Sequence, residues 1–136
     1  MSCFNGDTDG QSDTLTLDAA LKSSRRARQH VAQFVAHEHL TGATETLNII
    51  VGELVANAVM HSTAPIALCL SYRSGTVRVE VADGTSDLEA VRFRDVDRPT
   101  VGGRGLRILA ALVDEWGIVP NATGKSVWAK FKAAHE

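Results

Sequence analysis

Cysteine, net charge and long apolar runs are all scarce in this chain of 136 residues. Its two cysteines, Cys3 and Cys69, lack the spacing of a metal site. Cys3 stands in a polar tail and Cys69 in an alternating stretch, so both are expected to be free thiols in a reducing compartment. Fourteen Lys and Arg against 16 Asp and Glu leave a formal net charge of −2, which gives no electrostatic reason to bind DNA or RNA. No apolar run approaches the roughly 18 residues that a membrane helix needs. Met1–Asp13 has neither the charged nor the apolar region of a signal peptide. The expectation is a cytoplasmic protein with no direct nucleic-acid or membrane partner.

What remains is an ordinary globular composition, 44% hydrophobic and 22% charged, at the length of one domain. Residues 1–13 read as a disordered tail rich in Gly, Asp and Ser, and residues 14–136 as the domain. Thr14–Leu17 alternates like a short strand. Asp18 is placed to cap a helix running to about His39, on which Ala20, Ala27, Val31, Phe34 and Val35 recur at helical steps. Lys22, Arg25, Arg26 and Arg28 lie on the same helix, as a solvated face or an interaction face. Gly42 breaks the chain. Thr44 is placed to cap a second helix, whose Leu47, Ile50, Val51, Leu54, Val55 and Ala58 form one broad apolar face ending near His61–Thr63. Strands Ile66–Tyr72 and Thr76–Ala82 flank a turn at Arg73-Ser74-Gly75. Leu88–Val101 reads as a loop or lid. A third helix is expected from Leu106 to about Glu115, then a hairpin of 116–120 and 126–132. This order predicts an α+β fold: a two-layer sandwich with helices on one face of a mixed sheet.

Three features suggest chemistry, and each also has a plain structural explanation. Glu53, Asn57 and His61 follow at four-residue steps, so they form one slanted polar stripe bordering the apolar face. An Asn there can offer a hard oxygen to Mg²⁺, and a Glu one turn earlier can take a proton from an attacking hydroxyl. An ordinary amphipathic helix can carry the same polar flank. Gly102-Gly103-Arg104-Gly105-Leu106 precedes a helix, where free N–H groups and the helix dipole favour phosphate. Flexible glycine turns are common, and neither this segment nor Gly124-Lys125-Ser126 has the spacing of a P-loop. Asp83 ends an apolar strand before Gly84, where it could accept from an exocyclic amino group or simply form a turn.

Taken in order, these segments resemble a known superfamily. Glu53-Leu54-Val55-Ala56-Asn57-Ala58-Val59-Met60-His61 is similar to the N-box of the gyrase, chaperone, histidine-kinase and MutL ATPases. Asp83-Gly84 resembles the first glycine box, Gly103-Arg104-Gly105-Leu106 the second, and Gly124-Lys125-Ser126-Val127-Trp128 the closing segment. The resemblance spans about Leu15 to Phe131. Arg25–Phe34 also resembles the compact anti-sigma-factor serine-kinase branch. The resemblance implies a Bergerat-type ATP-binding fold with ATP and Mg²⁺ as cofactors. It implies Asn57 as the Mg²⁺ ligand, Glu53 as general base and Asp83 at the adenine amino group. It further implies Gly84 in the adenine-side turn, Gly103, Arg104, Gly105 and Leu106 at the phosphates, Ser126 near the adenine and His61 flanking the nucleotide. The sequence departs from the pattern at Thr85, where the family has a glycine, and at Ser126, where it often has threonine.

Two functions follow from the resemblance. One is a serine protein kinase and anti-sigma factor, by resemblance a homodimer, that phosphorylates a small antagonist (STAS-type) domain and holds a sigma factor. The other is a catalytically silent ATP-binding module whose lid selects a protein partner. A third alternative uses no nucleotide and presents the first helix with its arginines as an interaction face.

Overall fold

The computed structural model describes residues 11–17, 23–61, 65–83, 110–120 and 124–134. The elements are β1 (Gln11–Leu17), α1 (Ser23–His37), a short 3₁₀ turn (Thr41–Ala43), α2 (Thr44–His61), β2 (Ile66–Arg73), β3 (Thr76–Asp83), β4 (Glu115–Pro120) and β5 (Lys125–Lys132). The strands form one sheet in the order β1-β2-β3-β5-β4. The expected two-layer α+β sandwich is present, but all four described ladders are antiparallel where a mixed sheet was expected. The helical hairpin returns the chain so that β2 runs against β1, and tight connections do the same for β2–β3.

Strand alternation decides which residues meet the helices. Leu15 and Leu17 of β1, Ile66, Leu68, Leu70 and Tyr72 of β2, Val77, Val79 and Val81 of β3, and Val127, Ala129 and Phe131 of β5 share one core with both helices. From α1 come Ala27, Val31, Phe34 and Val35; from α2 come Leu47, Ile50, Val51, Leu54, Val55 and Ala58, as their periodicity predicts.

The ends of elements depart from expectation in small, explicable ways. β1 begins at Gln11, so residues 11–13 extend the strand by pairing with Tyr72, Ser71 and Leu70. α1 stops at His37, before the glycine expected to break it. His39 takes a left-handed φ of 57°, and Leu40 N–H donates to the Val35 carbonyl at 2.8 Å, closing the helix without glycine. Leu40 is buried and seals that end. Thr44 does not cap α2 as expected: its hydroxyl donates to the Thr41 carbonyl at 2.7 Å, so it closes the 3₁₀ turn. The β2–β3 turn has positive φ at both Ser74 (53°) and Gly75 (80°), the tight reversal that suits the twist of paired strands. Glu115 opens β4 instead of ending a helix.

Cys69 is disulfide-bonded, which corrects the free thiol expected there. It is fully buried on the sheet face opposite the helices. Strand alternation fixes its face but carries no information on what lies against it. Cys3, Asp18, Lys22 and the segment Leu88–Val101 lie outside the described residues.

Candidate functional site

α2 packs against β2 and β3. Burial of Leu47, Ile50, Val51, Leu54, Val55 and Ala58 fixes the rotation of α2 about its axis. That rotation leaves Glu53 and Asn57 half-buried on the border of the core. His61 is the last residue of the helix. On the sheet side, Val77, Val79 and Val81 face the helices, so alternation directs Asp83 the same way.

Asp83 and Lys125 are cross-strand partners at the end of the β3–β5 ladder. The Lys125 ammonium donates to Asp83 Oδ2 at 2.5 Å. Asp83 is 1% exposed and Lys125 2%. A buried carboxylate without a counter-ion would be very costly, and the lysine supplies one. Sequence pattern alone does not pair these two residues, which are 42 positions apart. The signal available was Lys125 two residues before Val127, in phase with the strand's apolar residues, where exposure is the usual fate of a lysine.

Ser126 pairs with Ala82 and lies on the opposite face of the sheet, with Trp128 and Lys130. The structure therefore brings Glu53, Asn57 and Asp83 to one side of the sheet and sets Ser126 on the other; Lys125 stands with Asp83 instead. Gly84, Gly103, Arg104, Gly105 and Leu106 lie outside the described residues, as does the side chain of His61. Among the described residues, no cluster of three or more His, Cys, Asp or Glu could hold a metal ion unaided. His30 Nε2 on α1 and Asn48 Oδ1 on α2 are buried without a hydrogen-bond partner, and nothing in their spacing marks them beforehand.

The opposite face carries a different set of groups. Trp128 lies against Gly117, where a Cβ would come within 2.9 Å of the indole ring. Arg78 and Lys130 stand 5.7 and 5.5 Å from that ring, and Arg78 also pairs with Glu80 at 3.0 Å. A groove of about 390 Å³ opens beside them, lined among others by Arg73, Thr76, Asp114, Lys130 and Lys132. Among the described residues, no helix is long and apolar enough to cross a membrane.

Residues 17–131 match the family model described as "Histidine kinase-like ATPase domain". No curated protein matches. Among solved structures, the chain is similar to the RsbU and RsbW domains of Rv1364c from Mycobacterium tuberculosis, with a TM-score of 0.66 and 20% identity. The similarity covers 92% of this chain and 32% of that one, so this chain spans about a third of that protein's length. At that identity the likeness shows a shared fold. The family match extends over most of the sequence and includes the N-box helix and the Asp83 strand: the chain belongs to the histidine kinase-like ATPase domain family.

Proposed function

We propose that this domain binds ATP with Mg²⁺ and transfers the γ-phosphoryl group to a serine of a small protein partner. The observation that supports this reading is that Asp83 ends β3 on the sheet face that packs against the helices, while Glu53 and Asn57 lie half-buried on α2. Asn57 would hold Mg²⁺ and Asp83 would accept from the adenine amino group. Gly103, Arg104, Gly105 and Leu106 would surround the phosphates, with Gly84 in the adenine-side turn and His61 beside the nucleotide. An Asn with no acidic cluster among the described residues suits a cation that keeps several waters and arrives on the nucleotide's phosphates. When bound, Mg²⁺ would neutralise phosphate charge.

Glu53 would accept the serine proton as the serine oxygen bonds to the γ-phosphorus. The bond to the β–γ bridging oxygen breaks, and ADP leaves. The resemblance to the anti-sigma serine kinases, together with the RsbW domain likeness, supports an antagonist of STAS type as substrate. It also supports a sigma factor as the captured partner, and a homodimer as the working form.

Incubation with radiolabelled ATP and a STAS-domain protein tests the transfer. Wild type should label a serine, while Glu53→Ala should bind ATP and label nothing. Equal labelling by both proteins would remove Glu53 from the role of base. The alternative is a binding module without turnover. That module would bind ATP and label no partner in either form.

A further inference from the structure

We propose that Lys125 is a positioning residue for base recognition, holding the Asp83 carboxylate in the orientation from which it accepts from the exocyclic amino group of adenine. The inference rests on the nucleotide site proposed above and assigns to it a residue that the N-box and glycine boxes do not contain.

Asp83 is the last residue of β3, where strand pairing ends and a carboxylate has the most freedom to turn. Lys125 removes that freedom. Its backbone is fixed by pairing opposite Asp83, and its ammonium reaches one carboxylate oxygen at 2.5 Å. Both side chains are almost wholly buried, at 3% exposure for Lys125 and 2% for Asp83. Water therefore competes little for the carboxylate, and the geometry is set within the protein.

The choice of lysine over arginine matters. A carboxylate has about four lone-pair sites, and an ammonium is a point donor that occupies one of them. A guanidinium would bind both oxygens in a fork. The lysine thus supplies the counter-charge a buried carboxylate needs through one donor contact. The ammonium can also swing, because its three donors rotate on a flexible stem.

Adenine selectivity would then depend on two residues: Asp83 accepts, and Lys125 keeps it in place to accept. Ser126, the neighbour that sequence similarity puts near the base, faces the other side of the sheet. This is why the role falls to Lys125.

Calorimetric titration of wild type and Lys125→Met with ATP and with purine riboside triphosphate, which lacks only the amino group, tests this. A hydrogen bond to a charged acceptor makes wild type favour ATP by about tenfold or more. In Lys125→Met the ratio should fall toward one. A general loss of stability weakens both ligands alike and leaves the ratio untouched, so the ratio reports positioning.

An undiminished ratio in a folded Lys125→Met protein overturns the proposal and leaves the ATP site standing. Failure of wild type to bind either triphosphate overturns the site itself, and the proposal with it. Equal binding of both by wild type removes the amino-group contact and likewise overturns the proposal. If Lys125→Met does not fold, the wild-type ammonium resonance of Lys125 decides, since its burial slows exchange with water. It should shift more at saturation with ATP than with the desamino analogue; identical shifts overturn the proposal.

Discussion

The β3–β5 ladder ends in charged residues at both of its ends, and the two ends are built on opposite terms. At one end Asp83 faces Lys125 on the helix side, and both are buried. Toward the other end Arg78, Lys130 and Lys132 gather around Trp128 and an open groove on the far side. There Arg78 pairs with the buried Glu80 at 3.0 Å, and of the three cations only Lys132 is exposed. Burying two charges costs several kcal/mol per ion before their attraction offsets it, and apolar residues would do the structural work as well. A buried pair at the end of a strand is therefore weak evidence of a gain in stability.

The largest effect should come from breaking the buried pair on one side only. Asp83→Ala leaves an uncompensated ammonium and should cost about 3–5 kcal/mol in urea unfolding. That is a large part of the roughly 5–15 kcal/mol typical of a domain. A loss below about 1 kcal/mol would mean that the pair is hydrated in solution. Next in size is Gly117→Ala. Its Cβ would meet the Trp128 ring at 2.9 Å, so Trp128 must shift or β4 must move away. About 1–3 kcal/mol of destabilisation is expected from this overpacking, with a change in tryptophan fluorescence.

Replacing both members of the pair sharpens the contrast. Asp83→Leu with Lys125→Met should be within about 1–2 kcal/mol of wild type, since paired burial of charge is seldom a net gain. Its ATP binding should nevertheless be lost. Retained ATP binding by that double variant would separate Asp83 from the nucleotide. Smallest of all, Lys130→Ala removes one cation from the Trp128 ring and should cost about 0.5–1 kcal/mol, declining as salt is raised.

Much of the fold was legible because one periodicity governs each element. The apolar steps of α2 predicted which of its side chains meet in the core, and they do, while β2, β3 and β5 lie close to the ranges expected of them. Where local chemistry competes with periodicity, the reading slipped. His39 ended α1 in a conformation for which glycine was the expected residue, and the Thr44 hydroxyl turned back to Thr41. Antiparallel pairing of the whole described sheet depends on how connections return, which no strand encodes by itself.

The site was legible only in part, for the same reason. Glu53 and Asn57 could be placed on one helix face from spacing alone, and the structure keeps them there. Asp83 could be placed at a strand end. Its union with Lys125 could not, because it depends on β3 and β5 being neighbours in register across 42 residues. Ser126 was read from its neighbourhood in a motif, whereas a one-residue step along a strand sends a side chain to the other face.

The measurement that bears most directly on the nucleotide site is calorimetric titration of the folded domain with ATP, with Mg²⁺ and with excess chelator, beside Asn57→Ala. Mg²⁺-dependent binding by wild type that Asn57→Ala loses is the predicted result. No heat at millimolar ATP, from protein shown by circular dichroism to be folded, would contradict the account and leave this fold as a scaffold for protein contacts.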